Sequence, residues 1–240
     1  MTILSTLLEI SKEDLEASRL LYKNNMFPHS IFYFQQSLEK LIKHLGITNE
    51  VINPEELHKE IGHKAEIIFK KLAQRTVELT GDKDFNIDND YKKITDLNKS
   101  VPLIDLLPVV KNTIEAYRKY EMPIDFEEVI IKMIKSNNEE LVKKVLQNPV
   151  RNAQFILHMK EFTRVFPLYH SSVMVLFMLN PILTNYVSIV RYPKKDSFEN
   201  PSKIYNVDHT LIKYLPYFFD CQQDNIKYIL NFQKSQDMIV

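Results

Sequence analysis

The stretch FPHSIFYFQQSLEKLIKHL, residues 27–45, decides how the rest of the chain is read. Phe27, Ile31, Phe34, Leu38, Leu41, Ile42 and Leu45 recur at steps of three and four, which places them on one face of a helix. Gln35, Gln36, Glu39, Lys40 and Lys43 fall between them and are expected to form a polar, solvent-facing back. Pro28 suits the first turn, where no amide partner is needed, and Gly46 is the expected stop. The pattern predicts an amphipathic helix packed in a bundle.

Upstream, Leu4, Leu7, Leu8, Leu15, Leu21 and Tyr22 mark a preceding helix, with Ser11-Lys-Glu-Asp14 as a capping-box start. Asn24-Asn25 ends it, so the two helices are expected to form an antiparallel hairpin. Downstream, Asn53-Pro54-Glu55-Glu56 combines a cap, a first-turn proline and two carboxylates at the positive end of the helix dipole. Leu57, Ile61, Ala65, Ile68 and Leu72 supply its buried stripe, and Gly81 its end.

Residues 82–100 are polar and loop-like. Asp82, Asp84, Asn86, Asp88 and Asp90 match calcium-loop offsets, but Ile87 replaces the required turn glycine and Lys93 the bidentate glutamate. The segment reads as a solvated linker. Shorter helices are expected over 101–148, one marked by Val110, Ile114 and Tyr117, others starting at Asp125 and Asn138. Pro102, Pro108, Pro123 and Pro149 punctuate them. A further helix runs from Val150 and is expected to stop at Pro167. An apolar helix over about 171–190 follows, kinked or restarted at Asn180-Pro181, and a last helix spans about Asp208–Phe232 with Leu211, Leu215, Phe218, Ile226 and Ile229 inward. No run alternates with period two, so the class is all-α.

Composition removes several functions. Three glycines (Gly46, Gly62, Gly81) provide no phosphate-cradling loop and argue against all-β and dinucleotide-binding folds. Thirty-one basic and 31 acidic residues cancel, so nucleic-acid binding would need a local basic patch. Cys221 alone allows neither an internal disulfide nor a cysteine metal cluster. No nucleophile elbow offers hydrolase chemistry. Neither a cofactor nor a metal is expected. The first residues carry no basic leader region, and Asn180-Pro181, Thr184, Asn185 and Ser188 interrupt the most apolar run. The expectation is a cytoplasmic chain without a membrane span.

Asp14-Leu15, Ala17 and Leu21-Tyr22, followed by Phe34, Gln35-Gln36-Ser37 and Glu39-Lys40, resemble the signature of the HEPN family. Leu57-His58 with Gly62-His63 is similar to that family's histidine-bearing third helix, and Arg191-Tyr192-Pro193 with Tyr205 to its closing element. The resemblance covers about residues 8–80 and 171–235. It divides the chain into bundle parts 1–81 and 150–240, separated by a helical insertion over 82–149.

The resemblance implies a homodimeric helical bundle that binds a nucleotide or RNA, with Lys40, His58, His63, Arg191 and Tyr192 as candidate ligand residues. The residues leave blander roles open: His29 in a first helical turn, His44 in a last turn facing the dipole, His58 and His63 as packing groups, and Arg191 as a carbonyl cap. Many family members are metal-independent ribonucleases of toxin or defence type, marked by Arg and a following His. A histidine near neutral pKa can move the ribose proton, while arginine stabilises charge on the phosphate. Arg151-Asn152 with His158 fits that mark with six intervening residues, and Arg164 with His170 with five. A third reading is a helical scaffold for a protein partner, such as an antitoxin or a nucleotidyltransferase.

Overall fold

A computed structural model describes residues 3–57, 61, 65, 67–72, 74, 103–119, 149–191 and 200–237. Its helices are α1 (Ile3–Lys23), α2 (Phe27–Thr48), α3 (Pro54–Glu56), α4 (Leu103–Arg118), α5 (Pro149–Arg191), α6 (Pro201–Ile204) and α7 (Thr210–Asp237). No strand occurs among the described residues. The chain is all-α.

The hairpin forms as its periodicity predicts. Ile31, Phe34, Leu38, Leu41, Ile42 and Leu45 are fully buried, with Phe27 at 6% exposure. Each such side chain gains roughly 1.5–3 kcal/mol by leaving water, which fixes which face of α2 turns inward. α1 begins before Ser11, so that residue is no cap. It lies in mid-helix, buried against α2. Its hydroxyl donates to the Ser37 carbonyl at 2.8 Å, and the Ser37 hydroxyl returns a bond to the Ser11 carbonyl at 2.7 Å. Ser18 and Ser30 repeat the exchange at 2.7 and 2.9 Å. Both pairs are spaced by seven residues on each helix, so the small side chains let the backbones approach along one seam.

Both hairpin helices end in the same backbone lock. The Asn25 amide donates to Tyr22 O and that of Met26 to Leu21 O, with Asn25 at φ 59°. At the end of α2, the Glu50 amide donates to Ile47 O and that of Val51 to Gly46 O, with Glu50 at φ 55°. These are Schellman bonds, built with asparagine and glutamate where glycine is usual. Gly46 is therefore not the stop: α2 runs to Thr48. A Cβ on Gly46 would lie 2.8 Å from Ile52 Cδ1 and 2.9 Å from Ile68 Cγ2. The glycine permits close approach of the following chain.

The Asn53 capping box forms as expected, its side chain accepting from the Glu55 and Glu56 amides while Glu56 accepts from the Asn53 amide. Leu57, Ile61, Ala65 and Ile68 are buried, whereas Leu72 is only partly covered. Val110 and Ile114 of α4 are buried, but Pro108 lies within that helix instead of ending one. The calcium-like loop and the helix starts at Asp125 and Asn138 lie outside the described residues.

The prolines of α5 correct the larger expectation. The sequence predicts a stop at Pro167 and a kink or restart at Asn180-Pro181, yet one 43-residue helix runs through both prolines with neither stop nor restart. An interior proline costs about 3 kcal/mol. Val175, Leu176, Leu179, Ile182 and Leu183 are each exposed by 3% or less, and their burial outweighs that cost. Hydroxyls bond back to backbone nearby, Ser171 and Ser172 to Leu168 O and Thr184 to Asn180 O. α7 likewise carries Pro216 inside, and Leu211, Leu215, Phe218, Ile226 and Ile229 are buried as predicted.

The chain divides into two compact units, one of Met1–Asn112 with Val175–Ile226, the other of Thr113–Met174 with Lys227–Val240. In the first, Gln222 donates to the Ser37 hydroxyl at 3.2 Å, and Arg19 bonds Asp220 and Gln223 at 3.1 and 2.8 Å. In the second, Tyr169 stacks on Phe232 with ring centroids 4.0 Å apart. One helical window among the described residues, Arg164–Thr184, is long and apolar enough to cross a membrane by length and composition.

Candidate functional site

The polar residues of α2 do not form a solvated back. Gln35 and Glu39 are 4% and 1% exposed. They turn inward because the hairpin buries more than the apolar stripe, and paired groups make that burial tolerable. Lys43 Nζ donates to Glu39 Oε1 at 2.6 Å, Gln35 donates to Glu39 Oε2 at 3.3 Å, and Lys40 Nζ lies 4.0 Å from the same carboxylate. Lys40 also donates to Gln36 Oε1 at 3.1 Å, and its side chain stays 21% exposed. The result is a buried carboxylate clasped from one edge by two lysines.

Asp14 of α1 shares this field. Partial burial raises its carboxyl above the ordinary value; the Lys40 ammonium opposes that shift, while Glu13 and Glu39 add to it. Two of the acids and one of the bases are thus residues that carry the family signature. Lys40 is a candidate from sequence, whereas Asp14 and Glu39 emerge as members of the same cluster only in the structure. The signal was available in the Gln-Gln-Ser and Glu-Lys steps. The periodic stripe, however, assigned Glu39 to the wrong side.

A second cluster lies where α5 ends and α7 begins. Tyr205 is 2% exposed; its ring lies 6.0 Å from that of Tyr186 and 4.9 Å from that of His209. Burial, with a smaller contribution from Tyr186, pushes the Tyr205 phenol up to about 12. Burial also raises Tyr186 and lowers His209. Arg191 is the last residue of α5, and its side chain, like Tyr192, lies outside the described residues.

The remaining candidates separate clearly. His58 and His63 lie outside the described residues, as do the side chains of Arg151, Asn152 and His158. The backbone of the last three is helical. On a continuous helix, residues seven apart differ by about 20° in azimuth and about 10 Å in height. Arg164 and His170 are exposed and occupy the same helix despite Pro167. Six residues put them about 120° apart around its axis. Partial desolvation of the His170 ring disfavours its charged form and lowers its pKa. His44 is buried and α2 has no basic residue in its last turn, so a dipole-facing role for it is corrected. No cluster of metal-ligating side chains occurs among the described residues.

A tight antiparallel hairpin, closed by a later helix and carrying an internal acid–lysine cluster, defines a helical-bundle class of domain. A family model described as HEPN domain matches residues 4–136. That is more than half of the chain, which belongs to the HEPN family. The match includes residues 82–136, within the segment read from sequence as an insertion. No curated protein and no solved structure matches the chain.

Proposed function

We propose that the protein binds a nucleotide or RNA as a homodimer, with the Lys40 edge of the α2 cluster contacting phosphate. The observation that supports this most is the 1% exposure of Glu39 beneath two lysines. A buried ion pair adds little stability over apolar packing, so a charged cluster at the signature positions points to use. Lys40 is its reachable member: its ammonium is held by Gln36 and Glu39, and a phosphate oxygen can take over from the neutral amide as acceptor.

The test is thermal unfolding with AMP, ATP or a short single-stranded RNA, for wild type and Lys40→Ala. A ligand at a hundred times its dissociation constant stabilises by about 2.7 kcal/mol, a rise of several degrees that Lys40→Ala should reduce. No rise with any of the three ligands rejects the binding proposal. An equal rise in the variant rejects Lys40 as its contact.

A second reading is a metal-independent endoribonuclease using Arg151, Asn152 and His158. Continuity of α5 supports it, because Arg151 and His158 then share one helix face. The azimuthal spread of Arg164 and His170 makes them the weaker pair. Cleavage of labelled RNA in chelator should be abolished by His158→Ala and retained by His170→Ala. Absence of wild-type cleavage removes this reading and leaves a non-catalytic binder or a scaffold for an antitoxin or nucleotidyltransferase.

A further inference from the structure

The start of α7 is capped by a group that titrates. His209 Nδ1 accepts the Leu211 amide at 3.2 Å, while the His209 carbonyl accepts from Ile212 and Lys213 at 2.9 and 3.3 Å. His209 is therefore the N-cap, and its imidazole occupies the place of the usual serine or asparagine oxygen. The helices at Pro54 and Pro201 use Asn53 and Asn200 for that bond, with acceptor distances of 3.0 Å. An asparagine cap ignores pH. An imidazole accepts through Nδ1 only while that nitrogen is unprotonated.

We propose that His209 is a proton-sensitive latch on the closing helix, holding its first turn when neutral and releasing it when charged. Protonation acts twice in the same direction. It converts the acceptor into a donor facing the Leu211 amide, and it sets a positive charge at the positive end of the helix dipole.

Among the described residues, the rings that pack on His209 supply no anion. The rings packed on His209 are Tyr186 of α5, 6.1 Å away, and Tyr205 of the preceding turn, 4.9 Å away. Both are phenols raised by burial, so neither ionises as pH falls through the histidine range. The nearest charged residues in sequence among those described, Asp208 and Lys213, are exposed. Burial lowers the His209 pKa from 6.5, so the folded chain binds its proton later than the unfolded chain. The latch is complete above about pH 6.5 and is lost as pH falls from there through the folded value. The latch does not depend on what the protein binds.

Amide exchange on the full chain between pH 7.5 and 5, with His209→Asn as comparison, tests it. In wild type the protection factor at Leu211 should fall roughly three- to tenfold on acidification, the range a lost cap implies. In His209→Asn the factor should stay level. Parallel pH dependence in the two proteins overturns the proposal. Nitrogen-15 spectra of wild-type His209 give a check that needs no variant. The neutral form must carry its proton on Nε2, and a neutral ring protonated at Nδ1 would equally overturn the latch.

Discussion

The α1–α2 hairpin and the helix α5 resolve opposite conflicts between sequence pattern and packing. In the hairpin, a residue that pattern places outside, Glu39, is drawn in. In α5, prolines that pattern places at helix ends are carried through the interior of a helix. The outcome differs because the opposing costs differ in kind. A buried carboxylate is tolerated only with partners in reach, here Lys43 and Lys40. An interior proline needs only enough apolar contact along the same helix to exceed about 3 kcal/mol. The hairpin therefore depends on particular pairs, and α5 on a sum over many side chains.

Breaking a pair should accordingly produce the largest loss. Lys43→Met removes the 2.6 Å partner of Glu39 and leaves that carboxylate with the Gln35 amide at 3.3 Å and Lys40 at 4.0 Å. Destabilisation of about 3 kcal/mol is expected, read as a lower urea midpoint at unchanged slope. Adding Glu39→Leu should restore most of it, since an apolar pair of similar volume needs no charge partner. A double variant as weak as the single would show that Glu39 is not the group stranded by the substitution.

Gly46→Ala probes the hairpin through volume instead of charge. Its Cβ would meet Ile52 and Ile68 below 3.0 Å, and overpacking of this kind costs about 1–3 kcal/mol. An unchanged urea midpoint would mean that the chain after α2 yields freely. In α5 the comparison predicts the opposite sign. Pro181→Ala restores a helical amide and should raise stability by about 1 kcal/mol, below the full helix penalty because the unfolded chain also regains freedom. A loss in thermal midpoint would instead show that the proline ring itself is needed for packing.

The same contrast explains how much was legible beforehand. Three- and four-residue spacing identified the hairpin, its buried stripe and the Asn53 cap, because each is a local rule acting within one or two turns. Ser11 was misread because a capping signature and a helix seam use the same small hydroxyl residue. Only the position of Ser37 across the seam distinguishes them. Gly46 was misread in the same way, as its closeness to Ile52 and Ile68 is tertiary. At the candidate site, Lys40 was visible through the signature. The convergence of Asp14 with it depends on the register of α1 against α2, which no single-helix pattern contains. His209 carried no sequence mark at all, since its role comes from one bond to an amide two residues ahead.

The smallest expected effect lies at the Asn53 cap, where a pair and a local rule coincide. Glu56 accepts from Lys71 at 2.6 Å and from the Asn53 amide at 2.7 Å. The Lys71 bond, then the amide, hold its carboxyl below 4.5. A lowered folded value means that the unfolded chain takes up this proton first as pH falls. The contribution is therefore whole above about pH 4.5 and disappears as pH falls through the folded value. Glu56→Gln keeps an oxygen for the Asn53 amide but removes the titration. Thermal midpoints of the two proteins should differ slightly at pH 7 and converge near pH 3. A gap that persists at pH 3 would assign the difference to the shape of the cap and not to its charge. It would then place this helix start with α5, held by the sum of its packing, and not with the hairpin and its pairs.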